Sequence, residues 1–140
     1  MKNPDHQFPP AGHLRWIIPD GYIPKHSSGP QPDMLSHEAA CILNVSDMEA
    51  HVEFWIFYSD REPVGPYKIL VGPRRTRHVR FNDLNDLAPI PHGTDFASVI
   101  VSDIAIVVQH TRLDSRQAEN ALMTTMAFPD SVPMMNSSRT

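Results

Sequence analysis

The sequence predicts an all-β chain folded as a single antiparallel β-sandwich, jelly-roll-like, and three observations carry that prediction. His51 to Tyr58 alternates with a period of two, Val52, Phe54, Ile56 and Tyr58 facing one way and His51, Glu53, Trp55 and Phe57 the other. Asp95 to Arg112 holds two β-branched apolar runs, Val99–Val101 and Ile104–Val108, of the kind that packs well on a pleated surface. The chain also contains 14 prolines in 140 residues, roughly twice the usual share, and they sit mostly at the ends of apolar runs. Prolines so placed punctuate short strands with stiff connections, and almost no segment carries a helical period.

Taken in order, Met1 to His13 is polar, proline-rich and aperiodic, which predicts a flexible arm. Leu14 to Ile18 reads as a short strand with Trp16 its largest side chain, and Pro19 to Pro32 as an ordered loop of turn residues. Ala39 to Val45 is the next strand, closed by a turn at Ser46-Asp47. The His51 to Tyr58 strand follows, with one face in the core and the other, His51 to Phe57, suited to subunit burial. Tyr67 to Val71 and a basic strand, Arg74 to Phe81, flank the turn Gly72-Pro73.

The central stretch reads as two adjacent strands, because Ser102-Asp103 can bond its own backbone and end the first. The second run is apolar on both alternating sides, which predicts cover on both faces. Asp114 to Phe128 fits either a helical face or a strand, with a strand from about Asn120 favoured by the Thr124-Thr125 pair. The expected organisation is an arm at 1–13, the sandwich at 14–127 and a flexible tail at 128–140.

Composition narrows the function classes. A hydrophobic fraction of 41% and a charged fraction of 20% are those of a globular protein. No apolar stretch approaches the ~20 residues that cross a bilayer, and the first residues lack a signal-peptide core, which predicts a cytoplasmic protein. The one cysteine, Cys41, reads as a packed thiol. A net charge of −4 sets up no global field for nucleic acid or acidic lipid.

Eight histidines raise a metal question, yet His51-x-Glu53 with His37, His78, His92 and His110 has no ligand spacing, so no metal or other cofactor is expected. Ser36 beside His37, or Ser98 with His110, lacks a nucleophile elbow, and neighbours on a strand point apart. No catalytic residue is assigned, although Glu38, Glu53, Asp83 and Asp95 could converge as a glycosidase pair would. Arg74, Arg75 and Arg77 belong to the one local charge excess and are the candidate DNA contacts, but alternation splits the arginines of Arg74 to Arg80 between faces, Arg80 with Thr76 and His78 and Arg77 opposite.

The most informative polar set is Gln109, His110, Thr111, Arg112 and the following Asp114-Ser115-Arg116, delivered by a buried strand. Two readings stand. Arg112 and Arg116 take up a carboxylate or hydroxyl-rich ligand, with Trp16 or Trp55 stacking on a sugar face, or they pair with Asp114, Asp95 or Glu119 to lock strands or subunits.

These residues also carry a resemblance. Gly21-Tyr22-Ile23-Pro24, Ser36-His37-Glu38, Tyr58 to Tyr67 (YSDREPVGPY), Arg77 to Leu84 (RHVRFNDL) and Ile106 to Asn120 (IVVQHTRLDSRQAEN) closely resemble the sensory rhodopsin transducer family over about residues 14 to 127. The resemblance implies a β-sandwich subunit, a homotetramer, and signalling without catalysis through docking on a membrane-embedded sensory rhodopsin. It also implies kinship with small-molecule and carbohydrate-binding sandwiches. A pocket for a small polar, sugar-like ligand would be mapped here onto Trp16, Ser36, His37, Glu38, Arg80, Asn82, Gln109, His110 and Arg112. DNA binding has been suggested for the family, and Arg74 to Arg80 would be its place in this chain.

Overall fold

Eight antiparallel strands account for the fold of the computed structural model, which describes residues 7–131. They are β1 (His13–Tyr22), β2 (His37–Asn44), β3 (Ala50–Tyr58), β4 (Val64–Val71), β5 (Arg75–Arg80), β6 (Asp95–Asp114), β7 (Ala121–Met126) and β8 (Phe128–Pro129). A single 3-10 turn, Phe81–Asp83, follows β5. The chain is all-β, as its alternation requires. Met1 to His6 of the expected arm and residues 132–140 of the expected tail lie outside the described residues.

The strands form two leaves that share β6. One has the order β4-β3-β6-β1-β8, and the other runs β5-β2-β6-β7. The first half of β6 pairs with β3 up to Ser102 opposite Val52 and with β1 up to Val101 opposite Arg15, beyond which a register shift brings His13 opposite Ile106. Its second half pairs with β2 and β7, from Val107 opposite Leu43 to Asp114 opposite Ala121.

The two strands expected in this stretch are therefore one strand of 20 residues. Ser102-Asp103 marks the place where it leaves one leaf for the other. Asp103 reaches across to β3: Oδ1 accepts the His51 backbone N–H at 2.8 Å and Oδ2 accepts His51 Nδ1–H at 2.8 Å. The local turn tendency is overridden because β6 finds partners on both sides along both halves.

Every even residue of β6 from Phe96 to His110 except Ile104 is buried, while Ala105, Val107 and Gln109 on the other side are half-buried. The expected cover on both faces is thus complete on one only. β-branched residues suit an open pleat as well as a buried one, so the double apolar pattern overstated the burial. The inward residues close the core. Phe54 and Phe96 meet Phe81 at centroid distances of 5.7 and 5.4 Å, Phe54 edge-on, among Ile23, Ile42, Ile56, Ile100 and Val108.

β1 extends beyond the expected Leu14–Ile18 through Pro19-Asp20-Gly21, which the sequence placed in a loop. A register shift between Ile18 and Gly21 absorbs the proline, whose missing N–H needs no ladder partner in a bulge. Gly21 sits where a Cβ would come within 2.6 Å of the Phe96 ring, so glycine permits the bulge to press onto the core. Strand pairing also passes the expected 127 boundary: β8 pairs with Trp16 and Ile17, and Asp130 bonds Arg15 at 3.0 Å. The ambiguous Asp114–Phe128 segment contains a strand from Ala121, as favoured.

Candidate functional site

At the open end of the shared β6 the structure gathers five of the nine predicted ligand-pocket residues, Ser36, Glu38, Asn82, His110 and Arg112. Alternation explains the selection. Glu38 is the first inward residue of β2 and lies directly opposite Arg112 of β6, with His110 two residues along on the same side.

Glu38 is fully buried. Its Oε1 accepts the Tyr22 backbone N–H at 2.9 Å and Arg112 Nε–H at 2.5 Å, and its Oε2 accepts Nε2–H of the buried His110. A carboxylate is an acceptor only, so His110 must hold its proton on Nε2. Arg112 reaches outward as well, Nη2 standing 3.2 Å from Asp20 Oδ2, with its side chain 22% exposed. Burial by itself would lower the Arg112 pKa. The hydrogen bond and charge of Glu38, joined by Asp20, outweigh that and raise it.

Asn82 and two serines finish the seam. Asn82 Oδ1 accepts the Glu38 N–H at 3.3 Å while its Nδ2 donates to the Ser36 carbonyl at 3.1 Å, so a side chain continues the β2–β5 ladder beyond Ala39–Arg80. Ser36 Oγ accepts the Ser115 N–H at 3.0 Å and donates to the His26 carbonyl at 3.2 Å. Ser115 Oγ donates to the Met34 carbonyl. Buried hydroxyls thereby pin the 23–36 loop to the turn after β6.

The remaining four predicted residues lie elsewhere. Trp16 donates Nε1–H to the carbonyls of His13 and Ile106, at 3.1 and 2.9 Å, beside the stretch where β6 passes between leaves. His37 points to the opposite side of β2 from Glu38 and donates Nδ1–H to the Leu35 carbonyl at 2.8 Å. Gln109 faces outward beside Cys41 and Met126, and Arg80 lies opposite Ala39 on that same outer side. Cys41 is half-buried there, its Sγ 3.9 Å from Thr111 Oγ1.

Ser115 stands in the polar set read from the sequence, without a role of its own, whereas Asp20, Tyr22 and the carbonyls of His26 and Met34 are given no place in the site by sequence reasoning. The proposed pairing of Arg116 with Asp114 is present, two-pronged at 2.7 to 3.1 Å, and that hydrogen bond holds the Asp114 carboxyl below its usual range. Arg112 pairs with Glu38 and Asp20 rather than with Asp95, Asp114 or Glu119.

The candidate DNA contacts serve the edge of the sandwich. Arg74, in the left-handed region at φ 54°, bonds Asp47 at 2.6 Å. Arg75 donates to the Arg74 carbonyl at 3.0 Å, and Arg77 reaches across from β5 to the Leu70 carbonyl of β4 at 2.6 Å. Among the described residues no three His, Cys, Asp or Glu side chains converge as a metal would need.

A family model described as Anabaena sensory rhodopsin transducer matches residues 11–129. The chain belongs to that family. The match includes every residue of the Glu38 seam. A solved structure named Anabaena sensory rhodopsin transducer is 63% identical, with a TM-score of 0.67, over 73% of this chain and 98% of that one. The crystal structure of Thermotoga maritima 1070 is 30% identical with a TM-score of 0.76, over 85% of this chain and 96% of that one. No curated protein matches the chain. No helix among the described residues is long and apolar enough to cross a membrane.

Proposed function

We propose that this transducer-family protein is a cytoplasmic, non-enzymatic signalling subunit that assembles as a homotetramer and docks on a membrane-embedded sensory rhodopsin. The observation that carries the reading is the match of the family over residues 11–129. The 63% identical structure is itself named for a sensory rhodopsin. The seam agrees with it. Three donors hold the Glu38 carboxylate, and these bonds tie β1, β2 and β6 into one arrangement.

Such a subunit transmits a signal by differential affinity: light favours one receptor conformation, and the transducer binds one of the two more tightly. The outward face of β3, where Trp55 is half-buried and Phe57 is exposed, offers apolar surface for a subunit contact. The test uses retinal-loaded sensory rhodopsin in nanodiscs as bait for the full chain, in darkness and under illumination. Retention that changes with light supports docking; no retention in either state rejects it.

A second reading, binding of a small polar or sugar-like ligand, is favoured by one observation. A cleft of about 450 Å³ lined by Asp114, Arg116, Gln117, Glu119 and Ala121 opens beside the seam and presents charged and amide groups. Calorimetric titration with monosaccharides and small carboxylates tests it, and an absence of heat for the whole panel rejects it. The DNA reading is weaker, because Arg74, Arg75 and Arg77 all bond groups of the sandwich edge.

A further inference from the structure

We propose that the gap between the open edges of β4 and β5 is a binding site for a small aliphatic zwitterion with one excess negative charge, the class of the acidic α-amino acids. β4 ends one leaf and pairs with β3 alone, and β5 ends the other and pairs with β2 alone. Between them lies a cleft of about 280 Å³. That is just below the roughly 300–1,000 Å³ of drug-sized sites and suits a smaller metabolite. Its apolar lining is Ile69, Val79 and Leu84, the last two buried, and no aromatic ring is among the lining residues. A nucleobase or a sugar face would find nothing to stack on there.

The charges around this cleft are unpaired. Lys68, Arg77 and Arg80 line it together with Asp83 and Asp86 of the segment after β5. Among the described residues, the side chains of Lys68, Arg80, Asp83 and Asp86 make no hydrogen bond or ion pair. Opposite charges thus share one cleft yet stand farther apart than an ion pair, and a molecule carrying both signs can satisfy both sets at once. Three cations against two carboxylates leave one positive charge. An occupant with two carboxylates and one ammonium group neutralises it.

Part of the site is already held in place. Arg77 Nη1–H donates to the Leu70 carbonyl at 2.6 Å, which fixes the guanidinium across the gap and leaves its other N–H groups for a ligand carboxylate. The same bond turns the Leu70 carbonyl away from β3. Backbone groups two residues apart on an antiparallel strand point the same way, so the Lys68 N–H also opens on the gap. A carboxylate there meets a fixed guanidinium, a backbone donor and the side chains of Lys68 and Arg80. The ammonium end falls to Asp83 and Asp86.

The experiment titrates the full chain calorimetrically with L-glutamate, with glutarate, which lacks the ammonium group, and with inorganic phosphate. Glutamate should bind, and the other two more weakly by roughly tenfold or more, the loss of one charge-assisted contact. Arg80→Gln should weaken glutamate by a similar factor. Asp83→Asn combined with Asp86→Asn should instead abolish the preference for glutamate over glutarate, a change that a merely structural effect would not produce. Amide resonances of residues 68–70 and 77–86 should shift during the titration, which locates the site even if a variant fails to fold.

The inference is independent of receptor docking and of the cleft beside Asp114, and the outcomes keep them apart. No heat with glutamate overturns it, as does glutarate or phosphate binding as tightly as glutamate. A carboxamide pair at 83 and 86 that keeps the full preference also overturns it. Glutamate binding with resonance shifts confined to residues 114–121 overturns it in favour of the other cleft.

Discussion

Arg112 stands 2.5 Å from the Glu38 carboxylate although the two are 74 residues apart, because β2 and β6 place them directly opposite each other in one antiparallel register. Burial makes the pair matter more for stability than a surface ion pair would. Removing one member of a buried, hydrogen-bonded group leaves the other desolvated without compensation.

Glu38→Ala is therefore expected to cost about 3–5 kcal/mol, since it strands both His110 and Arg112. Arg112→Ala should cost less, roughly 1.5–3 kcal/mol, because Glu38 keeps the Tyr22 N–H and His110 while the guanidinium is partly solvated. Urea unfolding of the two variants measures the order. Equal losses would contradict the dominance of the carboxylate.

Trp16→Phe tests the crossing of β6 between leaves. It keeps the aromatic volume but removes the donor for the His13 and Ile106 carbonyls. We expect a loss of about 1–3 kcal/mol in urea unfolding, the usual penalty for a buried acceptor left unpaired. A change below about 0.5 kcal/mol would mean the indole contributes through packing alone.

Ser98→Ala should act in the opposite direction. The Ser98 Oγ is buried on the core side of β6 and has no hydrogen-bond partner among the described residues. Its removal should leave stability unchanged or raise it by up to about 1 kcal/mol. A clear destabilisation would reveal a partner for the hydroxyl.

Acid sensitivity should trace to Asp114. The Arg116 hydrogen bond lowers its pKa in the folded state, so its contribution is present above the unfolded value of about 3.9 and is lost as pH falls through the lower folded value. Arg116→Gln should flatten the decline of stability below about pH 4. The effect is small because the pair is partly exposed. A decline as steep as in wild type would assign the acid response to other carboxylates.

Core truncation completes the set. Phe81→Ala removes the ring that joins Phe54 to Phe96, and a loss of about 3–5 kcal/mol in urea unfolding is expected. A loss under about 1.5 kcal/mol would show that the 3-10 turn can close over the gap.

The period of two in residues 51–58 determined β3 and its inward face before any coordinates, because strand alternation is a local property of the chain. The same logic made Glu38, His110 and Arg112 conspicuous as polar groups on or beside apolar runs. It could not make Ser102-Asp103 the continuation of one strand, since that required β1, β2, β3 and β7 to supply partners from distant parts of the chain. Nor could it place Asp20, the Tyr22 N–H and Ser115 beside Glu38. Whether a strand bends back or runs on, and which loop meets which carboxylate, depend on long-range pairing, and side-chain spacing along the chain does not encode it.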